Sequence, residues 1–377
     1  MKIRNVPEYE LVEQKKLTDI QAEGWLLHHK KSGARVIVIE TEDENKVFNI
    51  GFRTPAPDST GVPHIIEHSV LCGSDKFPVK DPFVELVKGS LNTFLNAMTY
   101  PDRTIYPVAS CNDKDFQNLM DVYLDAVFHP YIYKHKEIFM QEGWSYSLEK
   151  EDGELTYNGV VYNEMKGAFS SPEGVLDREV LSALFPDINY ANESGGNPEN
   201  IPELTYEAFL DFHRKYYHPS NSYIYLYGDM DMEEKLRFLD REYLCHYNME
   251  QVDSRIQEQK PFNQIKKVSK QYSITEAEST KDNTYLSYNI AIGDSLDTER
   301  NLAFEILAYV LISSPGAPLK QAILDAGIGR DVYGRFETDI KYSLFNVVAK
   351  NSNKEREEEF RQVIINTVKH LVEEGLD

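Results

Sequence analysis

The run His64-Ile65-Ile66-Glu67-His68 constrains this chain more than any other five residues. On an α-helix, residues four apart lie about 40° apart around the axis and about 6 Å apart along it, so His64 and His68 leave one face a turn apart. The flanks predict a short helix over about residues 62 to 72. Asp58-Ser59-Thr60-Gly61 offers N-cap chemistry, Pro63 suits a first turn, and Gly73 can end it. Ile65 and Ile66 put an apolar side behind the histidines, so the fold must pack that side and aim the polar one at something. Two imidazoles so placed can reach one Zn²⁺ at about 2.0–2.1 Å. Glu67 follows His64 by three positions, shares its face, and can sit beside such a metal as a general base without binding it. The pattern is the zincin motif H-E-x-x-H with its order inverted.

A hydrolytic zinc site also needs a third protein ligand and an open position for water. Two carboxylates are candidates. Glu164 lies in Asn158-Gly159-Val160-Val161-Tyr162-Asn163-Glu164-Met165-Lys166-Gly167, on a helix predicted to begin after the Asn-Gly turn; Glu142 lies in Gln141-Glu142-Gly143-Trp144. Spacing alone does not choose between them. Other segments compete weakly: His28-His29 points to both faces of a strand and cannot chelate as a pair, and Gly327-Ile328-Gly329-Arg330 lacks the third glycine of a dinucleotide fingerprint. His213 and His218 flank a helix end and read as capping or packing residues.

Around the motif the chain opens as β. Residues 25–30, a Ser32-Gly33-Ala34 turn and residues 35–40 alternate like a hairpin, and residues 46–53 add a strand. A helix is expected around 81–89, a strand pair near 96–106, and a long amphipathic helix over 113–128 with Phe116, Leu119, Met120, Tyr123, Leu124 and Val127 as its core side. Helical segments follow at about 134–142, 160–185 and 205–216, then a strand at 223–227 and a helix at 232–239. From about Met249 to Val268 the chain is polar, carries Pro261 and shows no helical stripe, which reads as a linker. The order of elements then begins again, with strands at 269–275 and 282–292, helices at 298–313 and 317–326, a strand pair near 330–349 and a closing helix from about Lys354. The expected organisation is α+β, with a catalytic domain over 1–250, a linker over 251–268 and a second, incomplete α+β unit over 269–377.

Composition narrows the function classes. The 377 residues carry 40 Lys+Arg against 62 Asp+Glu, a formal net charge of −22. At roughly 150 residues per domain that length suggests two domains. Hydrophobic content of 41% with 12% aromatics is that of a globular chain. A carboxylate-rich surface repels phosphates and lacks the counterion-release term, which argues against nucleic acid; it favours cationic partners. Three widely spaced cysteines, Cys72, Cys111 and Cys245, give no disulfide framework and no cysteine zinc knuckle, and fit a reducing compartment. No apolar leader region opens the chain and no continuous apolar run reaches the about 18 residues of a span, so a cytoplasmic location without a membrane partner is expected.

Longer runs carry a resemblance. Ser59-Thr60-Gly61-Val62-Pro63-His64-Ile65-Ile66-Glu67-His68-Ser69-Val70-Leu71-Cys72-Gly73-Ser74 and Gly89-Ser90-Leu91-Asn92-Thr93-Phe94-Leu95-Asn96-Ala97-Met98-Thr99-Tyr100-Pro101-Asp102-Arg103-Thr104 closely resemble the pitrilysin/insulinase family of zinc peptidases, in its presequence protease branch. The likeness continues through 159–169, Ser194-Gly195-Gly196, Ile201-Pro202-Glu203-Leu204 and His218-Pro219-Ser220-Asn221. It implies a pitrilysin-like metallopeptidase domain, an antiparallel-rich mixed sheet with helices packed on one face, followed by a second unit of similar type. It also implies one Zn²⁺ per chain held by His64, His68 and Glu164, with Glu67 as the base. Glu142 then stands behind the metal and orients a ligand histidine. By the same resemblance Leu95, Asn96, Ala97, Met98 and Thr99 form an edge strand to which a substrate peptide adds in extended form. Relatives in that branch are much longer, with two halves around a chamber, so the chain reads as the N-terminal part of such an enzyme, partnered by a C-terminal half and cleaving poorly without it.

The expected function is zinc-dependent endopeptidase or oligopeptidase action on short unfolded peptides, with basic peptides favoured by the charge. A non-catalytic peptide-binding or assembly subunit of the same fold is the alternative from another class, and chelator-sensitive cleavage restored by zinc separates the two. A small-molecule zinc hydrolase would need a compact pocket in place of an open edge strand.

Overall fold

The alternation read between residues 22 and 53 becomes the centre of a mixed sheet in a computed structural model, which describes residues 6–79 and 82–376. Its strands are β1 (Tyr9–Leu17), β2 (Ala22–His29), β3 (Arg35–Glu40), β4 (Lys46–Arg53), β5 (Asn92–Leu95), β6 (Met98–Thr99), β7 (Arg103–Ser110) and, far along the chain, β10 (Ser222–Gly228). The order is β1-β2-β3-β10-β4-β7-β5, with β6 also on β7. The β3–β10 pair is parallel and the other pairs are antiparallel. β1 has no counterpart in the sequence reading, because Glu10, Glu13, Lys15 and Lys16 dilute its alternation and most of the strand is exposed.

One face of this sheet is buried. Val36, Val38, Phe48, Ile50, Phe52, Tyr106, Val108, Ile224 and Leu226 are each at most 1% exposed, whereas Ile37 and Tyr223, offset by one position, are 43% and 38% exposed. Helix α3 (Asp113–Phe128) shares the core on that face and buries the six side chains its periodicity selects. The Asn112 side chain caps it by accepting from the Asp115 N–H at 3.0 Å. Helix α1 (Val62–Val70) holds the motif, with Ile65 and Ile66 fully buried. It packs on α4 (Lys136–Glu142), α5 (Val160–Ala168) and α7 (Tyr206–Tyr216). A two-stranded ribbon of β8 (Ser145–Ser147) and β9 (Thr156–Asn158) joins α4 to α5. Helix α8 (Met232–Glu242) follows β10. The helix expected around 81–89 is α2 (Pro82–Gly89); Asp81, its expected first residue, lies outside the described residues.

The chain divides into two compact units, one running to Phe169 and including Ile188–Glu258, the other joining Ser170–Asp187 to the chain from Gln259 onward. The division differs from the continuous one expected, because the helix read over 160–185 is two helices. The Ser171 Oγ caps α6 (Pro172–Leu184) by accepting from the Gly174 N–H, and Pro172 occupies the first turn, so a new helix starts there. That helix sits with the second unit: Glu173 pairs with Lys350, Asp177 with Arg335 at 2.8 Å, and Phe185 stacks on Tyr342.

The second unit is a sheet ordered β11-β13-β12, formed by β11 (Thr284–Asp294), β12 (Asp331–Glu337) and β13 (Tyr342–Ser352), with α9 (Thr298–Ala308), α10 (Pro318–Asp325) and α11 (Glu357–Glu374). A strand expected at 269–275 is absent among the described residues. Of its alternate apolar positions, Tyr272 is only partly buried and Ile274 is 36% exposed, so no buried row holds the segment extended. The stretch Thr298–Asp325 contains an 18-residue window of mean hydropathy 1.5. It is not one regular helix: a π-helical turn at Tyr309–Ser313 and the Ser314-Pro315-Gly316-Ala317 break separate α9 from α10.

Candidate metal centre

The motif helix turns its two histidines to one side, with ring centroids 4.9 Å apart. Each ring is held from behind by its Nδ1. The His64 Nδ1 lies 3.0 Å from the Gly195 carbonyl oxygen, and the His68 Nδ1 lies 3.3 Å from Oε2 of Glu142. A carbonyl oxygen and an ionised carboxylate only accept, so both Nδ1 atoms carry the proton, and in the neutral tautomer this selects, the Nε2 atoms present the lone pairs.

Those lone pairs meet one carboxylate oxygen. Oε2 of Glu164, brought in by α5, lies 3.8 Å from the His64 Nε2 and 3.7 Å from the His68 Nε2. Tetrahedral zinc with bonds of about 2.0–2.1 Å separates its ligand atoms by about 3.3–3.4 Å, so each of these two nitrogen–oxygen separations needs to close by about 0.4 Å to share an ion. Two neutral imidazoles and a carboxylate are a donor set that zinc accepts, and the protonated Nδ1 atoms with their acceptors are the backing such ligands need. Of the two carboxylates that sequence spacing left open, Glu164 faces both Nε2 atoms, whereas Glu142 reaches an Nδ1 from the far side.

Glu67 completes the cluster, within 4.8 Å of the ligand atoms of both histidines. It is 7% exposed, and its Oε2 accepts from the Thr99 hydroxyl at 2.9 Å. Burial raises its pKa above the ordinary carboxylate value, against the opposing pull of His68, His64 and the Thr99 hydrogen bond. Burial also acts to lower the His68 pKa, but the Glu142 hydrogen bond and the Glu67, Glu142 and Glu164 charges outweigh it and leave the value raised. For Glu142 burial raises the pKa, and the hydrogen bonds from His68 and Gln141 outweigh that and lower it. The Glu164 side chain is 54% exposed, that of Glu142 only 8%.

The segment 95–99 lies at the sheet edge, but not as the single strand expected. β5 ends at Leu95, Asn96 still donates its N–H to the Pro107 carbonyl of β7 at 3.2 Å, Ala97 leaves the ladder, and Met98 and Thr99 resume it on β7. The Asn96 side chain accepts from the Ala97 N–H at 3.0 Å, which gives that amide a local partner during the break.

Two site contacts went unread in the sequence. The Gly195 carbonyl behind His64 comes from a loop whose only signal was paired glycines. Thr99, expected to pair with a peptide, turns its hydroxyl to Glu67. Elsewhere, His29 bridges Ser32 and Asp240 at 2.8 and 2.9 Å, but with His29 and Ser32 at most 1% exposed this trio holds packing and meets no substrate. His213 is likewise buried between the Tyr133 hydroxyl and the Val127 carbonyl.

Comparison with known proteins places this arrangement in a class. In fold, the chain superposes on the solved structure of pitrilysin with a TM-score of 0.67 at 16% identity, covering 98% of this chain and 38% of that one. A structure titled as a peptidase M16 inactive domain from Pseudomonas fluorescens gives 0.68 at 16% identity, covering 94% and 80%. The family model described as Insulinase (Peptidase family M16) matches residues 47–182, and that described as Peptidase M16 inactive domain matches residues 203–377. Among curated proteins, Protein HypA of Clostridium perfringens is 57% identical over 98% of this chain and 38% of its own length. Presequence protease 1, chloroplastic/mitochondrial, of Arabidopsis thaliana is 44% identical over 98% and 34%. The mouse mitochondrial presequence protease is 36% identical over 93% and 34%. The chain belongs to the M16 (insulinase) peptidase family, in its presequence protease branch. It spans about a third of the length of these curated relatives.

Proposed function

We propose that this chain carries the metal site of a zinc-dependent endopeptidase acting on short unfolded peptides. The observation that supports this most is the convergence of both Nε2 atoms on one Glu164 oxygen, with both Nδ1 atoms tied back. One zinc ion held by His64, His68 and Glu164 would activate a water and polarise the scissile carbonyl.

The remaining work falls to the chain itself. Glu67, a carboxylate whose basicity burial has increased, accepts a proton from the attacking water and returns it to the leaving amine. Thr99 holds one Glu67 oxygen, which leaves the other for that proton. Glu142 fixes the His68 ring and favours its Nδ1–H tautomer. The edge residues Leu95, Asn96, Ala97, Met98 and Thr99 take the peptide by main-chain pairing, which asks little of its side chains. The charge of −22 supports a preference for basic peptides, and the greater length of the relatives supports a C-terminal half as the partner that completes the enclosure.

The test is cleavage of a quenched-fluorescent peptide with chelator, with zinc restored, and in Glu67→Gln. Chelator-sensitive, zinc-restored cleavage that Glu67→Gln abolishes while keeping its metal supports the assignment. Full activity in Glu67→Gln removes it.

A further inference from the structure

The ribbon of β8 and β9 runs from Gly143 to Gly159 within the first unit, with Tyr146 paired opposite Tyr157. Side chains alternate across such a ribbon. Ser145, Ser147, Thr156 and Asn158 take one face, whereas Tyr146, Leu148, Leu155 and Tyr157 take the other. A face written this way is one to be covered, yet those four apolar residues are 61%, 50%, 57% and 41% exposed. A two-stranded ribbon with an uncovered apolar face is marginal in water, and a contiguous exposed patch of this kind marks a place where something binds.

The rings form an ordered platform. Tyr146 and Tyr157 lie 5.4 Å apart, and Trp144 meets both edge-on at 5.6 and 5.7 Å. Trp144 is itself anchored, its Nε1–H donating to the Leu204 carbonyl at 3.0 Å.

Charge selects the occupant. The turn closing the ribbon carries four carboxylates, Glu149, Glu151, Asp152 and Glu154, against one ammonium, Lys150, all exposed. Ring faces and carboxylates together favour cations that carry apolar neighbours. We propose that the ribbon is a docking surface for a basic peptide segment, with Lys or Arg side chains over Tyr146 and Tyr157 and at the acidic turn, and apolar side chains on Leu148 and Leu155.

The roots of the ribbon give this surface a consequence. Gly143 follows Glu142, the partner of His68, and Gly159 precedes α5, which carries Glu164. The two glycines are pressed together: a Cβ on Gly159 would stand 2.1 Å from the Gly143 oxygen. A peptide seated on the ribbon is therefore held beside the two helices that supply both of these glutamates. That this peptide is also the substrate rests on the peptidase reading; that it binds does not.

The experiment uses the 377-residue chain, kept metal-free with chelator so that nothing is cleaved, in a Trp25→Phe background that leaves Trp144 as the only tryptophan. Two fluorescein-labelled peptides of equal length, one of Lys and Leu and one of Glu and Leu, are followed by anisotropy and Trp144 emission. The basic peptide binds, changes Trp144 emission and weakens with salt, whereas the acidic one does not. Tyr146→Ser/Tyr157→Ser weakens binding at least tenfold. Glu149→Gln/Glu151→Gln/Glu154→Gln, confined to exposed positions, weakens it severalfold and flattens the salt dependence. Equal binding of both peptides overturns the proposal. So does binding unchanged by the ribbon variants but lost in Ala97→Pro, which places the peptide on the edge strand and leaves the peptidase reading intact. Self-association of the chain through the ribbon, removed by Tyr146→Ser/Tyr157→Ser and untouched by peptide, overturns it in favour of a second copy. Ribbon binding by a chain that retains no zinc once the metal is restored supports the docking surface and defeats the peptidase reading alone.

Discussion

The Thr99 hydroxyl donates to Oε2 of Glu67 at 2.9 Å, which ties the sheet edge to the carboxylate that the motif helix buries. The bond fixes which oxygen of Glu67 is free. A hydrogen bond to a charged group contributes roughly 1.5–3 kcal/mol, so its removal is expected to lower peptide turnover about ten- to a hundredfold. Thr99→Val should show that loss in kcat, with little change in KM and with zinc content unaltered. Thr99→Ser, which keeps the hydroxyl, should recover most of it. A loss in Thr99→Val that appears only in KM would assign Thr99 to peptide pairing instead.

Glu164 and Glu142 differ in which nitrogen they meet, and zinc content should follow that difference. Glu164→Gln replaces an anionic oxygen on the Nε2 side by a neutral amide and should lose the metal on dialysis. Glu142→Gln leaves all three donor atoms in place but weakens the hold on the His68 Nδ1–H, and should reduce affinity about 10- to 100-fold. Competition with a chromophoric chelator measures both. Equal effects of the two substitutions would contradict the assignment.

The legible parts of this molecule are those where one short run of residues decides the outcome. The spacing of His64, Glu67 and His68, with Ile65 and Ile66 behind them, dictates a packed helix with a polar side, and α1 is that helix. The stripe from Phe116 to Val127 likewise becomes α3. Less legible is whatever depends on residues distant in sequence. The Gly195 carbonyl reaches His64 across 131 positions, and no local pattern announces it. The ribbon of β8 and β9 was not read as strands, because three paired residues a side give too short an alternation. The break between α5 and α6 has a local signal, Ser171-Pro172, but the apolar pattern on either side masked it.

His213 gives the chain a pH dependence with a definite sign. Burial pushes its pKa down to about 4, from an unfolded value near 6.5. The folded state therefore holds the neutral ring, and its contribution is complete above about pH 6.5 and lost as the pH falls toward 4. A difference of about 2.5 pH units corresponds to about 3 kcal/mol. Both tryptophans, Trp25 and Trp144, lie in the first unit, so urea unfolding followed by their emission reports on that unit. His213→Gln should be less stable than the parent at pH 7 and should lose about 2–3 kcal/mol less between pH 7 and pH 4.5. Parallel losses in the two proteins would show that His213 does not titrate in this way.

Gly61 is where backbone geometry and the proposed metal site meet. It precedes α1 with φ of +71°, a conformation that costs an L-residue about 1 kcal/mol. Space is a second obstacle. A Cβ there would lie 2.6 Å from the Gly196 Cα and 2.8 Å from the Gly195 oxygen, both backbone atoms that cannot rotate away. That oxygen is also the acceptor for the His64 Nδ1–H, so displacing the loop releases a ligand ring as well as straining the helix start. Gly61→Ala should therefore destabilise the first unit by about 2 kcal/mol and weaken zinc binding at least tenfold. Gly167→Ala is the control. Its Cβ meets nothing within 4 Å and it lies inside α5, where replacing glycine by alanine is expected to stabilise by about 0.5–1 kcal/mol. Thermal unfolding and chelator competition on the two variants should move in opposite directions in stability, with zinc affinity lost only in Gly61→Ala. If Gly61→Ala kept parental zinc affinity, the Gly195 carbonyl would not be what orients His64.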